Sequence, residues 1–222
     1  MKKNSNINNI KEVFAQEELD NCKIALDTLK TEVDNLNLLV KQFEDKKFCK
    51  SFLKVLHTLN TCNGRILVTG VGKSGNIGKK ISGIFSSIGM SSFFIHPVEA
   101  IHGDLGCICK NDVLIAISCS GGTVEIKDIV NYCNKHGVKV VSITCKSGSW
   151  LEENSEINIT LNMKSEAING FPIPTTSSIL TLAICDALTA CLVKNKKLSN
   201  KKYGELHCGG KIGENIKAKI KN

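Results

Sequence analysis

Lys73 and Ser74 lie among four glycines in Val68–Lys80, VTGVGKSGNIGKK, directly after an apolar run. Backbone N–H groups in such a loop, opening onto a helix, hold anions and above all phosphate. The residue types separate three kinds of phosphate. A nucleotide triphosphate loop of the form G-x-x-x-x-G-K-[ST] needs glycine where this chain has Leu67, inside a strand. Gly70, Gly72 and Gly75 satisfy G-x-G-x-x-G, but the acid that should end the next strand and hold a ribose is missing from FFIHP, with Glu99 falling just after it. What remains is a nest of N–H groups with Lys73 near a helix N-terminus. A cation there is unfavourable by a few tenths of a kcal/mol unless an anion lies between. A solvated lysine beside a packing turn is the plainer alternative.

Two further clusters fit the same ligand. SCSGGTVE brings Ser118, Ser120, Gly121, Gly122 and Thr123 to the end of a buried strand, with Glu125 in the first turn of the helix that follows. This is a phosphate cradle that needs no metal. Local roles compete for two of these residues: Thr123 as N-cap and Glu125 as a first-turn acid favoured by the helix dipole. PTTSS, from Thr175 to Ser178, opens the last long helix. Three hydroxyl-rich helix starts at one edge of a sheet point to a small molecule that is both phosphorylated and polyhydroxylated.

Such loops need elements to converge on. Val13, Leu19, Ile24, Leu26, Leu29, Val33, Leu36, Leu39 and Val40 recur at helical spacing from about 9 to 42, which predicts a long amphipathic helix or a helical pair. A second helix, about 48 to 59, stops at NTCNG. RILVTG, SSFFIHP, DVLIAIS, KVVSITC and INITLNM then read as strands, with NIGKKISGIFSSIG, TVEIKDIVNYCNKHG and SSILTLAICDALTACLVKNK as helices. Alternation of this kind predicts an α/β fold, a doubly wound five-stranded parallel sheet with helices on both faces, preceded by N-terminal helices. Ligands bind such sheets beyond the carboxyl ends of the strands. Residues 1–47 are expected to form the amphipathic helical segment, 48–213 the main domain and 214–222 a basic tail.

The composition excludes several functions. At 222 residues, with 42% hydrophobic and 23% charged, the chain has ample core for one large domain. No apolar run approaches the roughly 18–20 residues of a membrane span, and the basic N-terminus lacks the apolar region of a signal peptide. The eleven cysteines lie mostly in apolar segments and include no CxxC pair, which reads as reduced thiols in a cytoplasmic protein. A net charge of +8 with only 5% aromatics supplies no stacking platform, so no nucleic-acid partner is expected.

GVGKSGNIGKK, SFFIHPVEAIHGDLG, DVLIAISCSGGTVEI, PTTSS and GELHCGGKIG, in this order, resemble the sugar isomerase (SIS) domain, and within it the arabinose-5-phosphate isomerases. The resemblance runs from about Leu53 to Gly213, and HPVEAIHGDLG is its most discriminating piece. The sequence departs from the family at Val98, usually glycine, at Cys119 and Gly122, often Asn and Glu, and at Cys208, where proline is usual. Larger members carry a C-terminal pair of CBS modules, for which these 222 residues have no counterpart.

The resemblance implies interconversion of D-arabinose 5-phosphate and D-ribulose 5-phosphate through an enediol, feeding 3-deoxy-manno-octulosonate and lipopolysaccharide synthesis, with no cofactor and no required metal. Glu166 matches a catalytic glutamate, the expected base between C1 and C2. Glu125 matches a second active-site acid, and the two roles are open to exchange. His207 matches a histidine suited to ring opening, a side chain that exchanges protons near neutral pH, and lies far enough along the chain to act from a neighbouring subunit. Lys73 becomes the electrophile. Gly72, Ser74, Ser118, Ser120, Thr123, Thr175 and Ser177 are expected to bind phosphate and sugar oxygens, with His102 lining the pocket and Asp104 orienting it. His102 and His207 with the glutamates are expected to trap a transition metal as an inhibitor. A homotetramer is implied, a dimer being the alternative. A non-catalytic sugar-phosphate-sensing SIS module, or an isomerase for another phosphosugar, is the competing function.

Overall fold

The computed structural model describes residues 16–211 together with 213, 214 and 216. Val13 and most of the expected basic tail lie outside the described residues. The chain order is α1 (Gln16–Gln42), α2 (Lys46–Asn60), β1 (Ile66–Gly70), α3 (Gly72–Ser87), β2 (Ser92–Phe94), α4 (Pro97–Ile101), a 3-10 turn (Asp104–Cys107), β3 (Val113–Ile117), α5 (Val124–Lys135), β4 (Lys139–Thr144), α6 (Trp150–Glu153), β5 (Ile157–Thr160), α7 (Thr176–Asn195) and α8 (Asn200–Leu206).

The five strands run in the order β2-β1-β3-β4-β5, all parallel. The apolar run of β3, and of Ile66–Val68 in β1, follows from burial on both faces, and all five residues of each strand are buried. Alternate residues feed two cores. Ile66, Val68, Val113, Ile115 and Ile143 pack with Phe52, Phe85, Leu180, Ile184 and Leu188 from α2, α3 and α7. Leu67, Leu114, Ala116 and Val140 pack with Ile126, Ile129 and Val130 of α5 on the other face. Each such fully buried aliphatic or aromatic side chain contributes about 1.5–3 kcal/mol relative to exposure.

Helix α2 starts where the Asp45 carboxylate accepts the Lys47 and Phe48 N–H groups. Helix α1 is tied down by the burial of Leu39 and Asn35, while Leu26, Leu29, Val33 and Val40 remain more than half exposed along one stripe. Helix α7 differs from the sequence expectation. It is a 20-residue helix long and apolar enough to cross a membrane by length and composition. Its position accounts for that composition, because it packs on the sheet and is covered by α1, α2 and α3, so apolar residues are needed on several sides. None of the eleven cysteines is in a disulfide. Cys133 and Cys185 are buried, whereas Cys22, Cys107, Cys109 and Cys208 are exposed.

Candidate active site

The strand after β1 lies on one side of it and β3 on the other, so the chain diverges between the carboxyl ends of β1 and β3. At this switch point an α/β sheet leaves a crevice. A cavity of about 330 Å³ opens there, walled by Ser74 from α3, by Ser118, Ser120 and Thr123 from the β3–α5 loop, and by Ser177 and Ser178 from α7. Glu166, Pro172 and Pro174 close it from the long β5–α7 connection. The three hydroxyl-rich helix starts thus meet around one space.

The β3–α5 loop is a cradle held by its own hydrogen bonds. Ser118 Oγ lies 2.8 Å from Thr123 Oγ1 and accepts the Gly121 N–H at 3.0 Å, and Ser120 Oγ accepts the Gly122 N–H at 3.2 Å. Thr123 is the N-cap residue of α5, but its side chain makes no capping bond. Its hydroxyl turns to Ser118 instead, which leaves the first amide groups of α5 without a side-chain acceptor, as an anion site requires. Gly121 is required twice over. Its φ is +61°, and a β-carbon there would fall 2.1 Å from Ser149 Oγ.

Glu166 is anchored at the start of α7. Its Oε2 accepts the Thr175 N–H at 2.8 Å, the Thr175 hydroxyl at 3.2 Å and the Ser177 N–H at 3.2 Å, whereas Oε1 accepts from the Ser177 hydroxyl. Burial alone would raise the carboxyl pKa, but these donors outweigh it and hold Glu166 below the usual glutamate value. The result is an ionised carboxylate on the wall of the cavity. Helix α1 steadies the loop that carries it. Gln42 bridges Thr160 and Asn162, accepting the Asn162 N–H at 2.8 Å, and the Asn35 amide oxygen accepts the Lys164 N–H at 2.9 Å.

In the β1–α3 loop the glycines have separate tasks. Gly72, at the first position of α3, has φ +59°, and a β-carbon on Gly75 would approach the Gly70 carbonyl oxygen to 2.7 Å, so that spacing serves close helix–strand packing. Lys73 is exposed, makes no ion pair among the described residues and does not line the cavity, unlike its neighbour Ser74.

Other expected site residues lie apart from this cavity within one chain. Glu125 is exposed in the first turn of α5, one turn from the cradle. His102 is an exposed residue ending α4. Asp104 lines a separate cavity of about 430 Å³ beside β2, with Arg65, His96 and Glu99. His207 ends α8, its ring stacked on Tyr203 at 4.0 Å between centroids and its Nδ1 2.9 Å from the Tyr203 carbonyl oxygen. Neighbouring Leu206 packs against Gly89, in the turn that precedes β2, so α8 sits at the amino ends of the strands, opposite the cavity. Among the described residues no group of three or more His, Cys, Asp or Glu side chains is arranged to hold a metal ion, so one chain does not assemble the expected inhibitory site of His102 and His207.

Cys119 also lines the cavity. The sequence marked it as a departure within the cradle but gave it no role. Asn35 and Gln42 were missed outright, since a polar residue in an amphipathic helix carries no sign of a loop more than a hundred residues away.

Residues 59–191 match the model of the SIS domain. Over 193 residues the chain is 37% identical to the arabinose 5-phosphate isomerase KpsF of Escherichia coli, an alignment spanning 87% of this chain and 60% of the relative. It is 38% identical over 198 residues to the arabinose 5-phosphate isomerase KdsD of Francisella tularensis subsp. tularensis, spanning 89% and 60%. The solved structure of E. coli CFT073 c3406 in complex with arabinose 5-phosphate aligns with a TM-score of 0.79 at 32% identity, over 87% of this chain and 100% of that one. The chain spans about three fifths of the length of the KpsF and KdsD relatives.

Proposed function

The chain belongs to the SIS domain family, and within it we propose that this protein interconverts D-arabinose 5-phosphate and D-ribulose 5-phosphate, the step that supplies 3-deoxy-manno-octulosonate for lipopolysaccharide. One observation carries the reading: a single cavity joins a metal-free phosphate cradle, Ser118 to Thr123, to an ionised, hydrogen-bonded carboxylate, Glu166. The likeness to the KpsF and KdsD isomerases and to the sugar-phosphate complex of c3406 supports the choice of pentose phosphate.

The phosphate sits at the N-terminus of α5, where the Ser118, Ser120 and Thr123 hydroxyls and the free amides meet its oxygens. Glu166 takes the proton from C2 of the open-chain aldose and returns it to C1. Three donors occupy Oε2 and one meets Oε1, so Oε1 is the oxygen with a lone pair to spare for the proton. A carboxylate whose pKa is lowered is a weaker base, so the reaction needs a partner for the enediolate oxygen. Lys73 supplies it by turning in from the rim, with Glu125 holding sugar hydroxyls. His207 opens the ring from a neighbouring subunit, because its own helix lies at the far end of the sheet. His102 and Asp104 complete the sugar pocket across the same contact. The exposed stripe of Leu26, Leu29, Val33 and Val40 supports such an assembly, a tetramer or a dimer.

Incubation with ribulose 5-phosphate in D2O, followed by NMR, tests the reading. Arabinose 5-phosphate carrying deuterium at C2 is expected. If neither the aldose nor the label forms, the protein is not this isomerase, and a sugar-phosphate-sensing SIS module or an isomerase for another phosphosugar takes its place.

A further inference from the structure

Cys119 on the cavity wall has a second thiol, Cys145, directly behind it, and the isomerase chemistry uses neither. Strands β3 and β4 pair in register up to Ile117 and Ile143, and the Ser118 N–H donates to the Ile143 carbonyl at 3.1 Å. A regular parallel ladder would next carry the Cys145 N–H to the carbonyl of Ser118. It goes instead to Cys119, at 2.9 Å. This one-residue bulge sets Cys119, a cavity-lining residue, beside Cys145, and bulges next to binding sites commonly re-aim a side chain in this way. The bond bounds the separation of the two α-carbons at about 6.8 Å, within the range that disulfides span.

We propose that Cys119 and Cys145 form a redox-active dithiol that closes reversibly to a disulfide in the substrate cavity. Hydrogen bonding from the neighbouring Cys145 thiol holds Cys119 down at about 7 against burial and the Glu166 charge, with help from the Ser177 hydroxyl. The same hydrogen bond, and then burial, raise Cys145. Cys119 is therefore the nucleophile and Cys145 the resolving thiol, and an attacking thiol with a pKa near ambient pH is the reactive kind. The oxidant is a peroxide. The Cys119 thiolate attacks one peroxide oxygen, forming an S–O bond and breaking O–O, and the departing hydroxide leaves as water after taking a proton. Cys145 then attacks the sulfenic sulfur, the S–S bond forms, and the second oxygen departs as water with the Cys145 proton. Two thiols and one hydrogen peroxide give one disulfide and two waters, and the two electrons reside in the waters.

The consequence for the site follows from the place of Cys119, between Ser118 and Ser120 of the cradle and on the same cavity as Ser177 and Glu166. Turning its sulfur toward Cys145 pulls on the cradle residues at either side. The effect on turnover rests on the isomerase reading, whereas formation of the link does not.

Trypsin places the two thiols in separate peptides, 111–127 and 140–146, each with one cysteine. After treatment of the whole protein with a modest excess of hydrogen peroxide and alkylation of the remaining thiols, mass spectrometry is expected to find these two peptides joined. Sugar-phosphate turnover should fall about tenfold and return with dithiothreitol. In Cys145→Ser, peroxide should carry Cys119 past sulfenic to sulfinic acid, and dithiothreitol should no longer restore what was lost. The proposal is overturned if both peptides remain alkylated at peroxide levels that oxidise exposed Cys107 or Cys208. It is equally overturned if the joined form binds and turns over arabinose 5-phosphate like the reduced one. Should the reduced protein prove inactive, the joined peptide and the shift in arabinose 5-phosphate binding between the two forms, read by thermal melting, still decide it.

Discussion

Glu166 holds two positions at once: it faces the cavity, and it accepts the amides of Thr175 and Ser177 at the start of α7. Glu166→Gln separates them. The Gln carbonyl still accepts the donors on Oε2, and its NH2 group meets the Ser177 hydroxyl, so the melting temperature should fall only by what about 1–2 kcal/mol of lost charge-assisted bonding removes. Turnover should fall about 10²–10⁴-fold, and near-full activity on an open-chain substrate would remove Glu166 from the proton path. The sign of the pH effect is fixed by the lowered pKa. The carboxylate is ionised, and its contribution to stability fully present, above the unfolded glutamate value of about 4.3; both are lost as pH falls through the lower folded value. The acid limb of kcat/KM should therefore lie below pH ~4.3 and disappear in the Gln variant. Gly121→Ala acts differently, since it forces a β-carbon onto Ser149 Oγ at a positive φ. It should cost about 1–3 kcal/mol in denaturant titration and weaken phosphate binding with it. The Ser/Gly cluster around it was legible in the sequence because a parallel sheet sends the carboxyl ends of its strands to one edge, so hydroxyl-rich helix starts must meet there.

Among the elements, α1 does more than cover the fold. Its buried Asn35 donates to the Thr31 carbonyl and accepts the Lys164 N–H, two residues from Glu166. Asn35→Ala leaves that N–H without a partner, a loss of about 1–3 kcal/mol. It should also lower kcat more than it raises KM, because the phosphate cradle is untouched; a change confined to KM would refute the tether. Elements of this length were readable from sequence, and all five strands and the long helices lie where their apolar patterns put them. The four- to seven-residue helices α4, α6 and α8 were not, since one or two turns carry no period to detect. Register was equally invisible, which is why Cys119 and Cys145 did not look like neighbours.

For the whole molecule, the separation of His207 from the cavity is the main finding. Spacing along a sequence reports which residues a chain owns, not which copy of the chain presents them to which site. If a neighbour supplies His207, then His207→Ala and Glu166→Gln proteins, each nearly inactive, should regain a substantial share of activity when unfolded together and reassembled. No recovery in a mixture shown by light scattering to be assembled would place ring opening elsewhere. Val33→Lys, in the exposed stripe of α1, should dissociate the assembly and abolish turnover while leaving the fold intact by circular dichroism.

The phosphate cradle is already closed on itself, with Ser118 bonded to Thr123 and to the Gly121 amide, and Ser120 to the Gly122 amide. An arriving phosphate therefore trades bonds with the loop hydroxyls and adds only those of the open α5 amides. Heat released on binding should be small, and the affinity should come mainly from freed water and from a loop that has little order left to lose. On the isomerase reading both sugars carry the same phosphate, so the cradle holds the two alike and leaves the choice between them to the rest of the pocket.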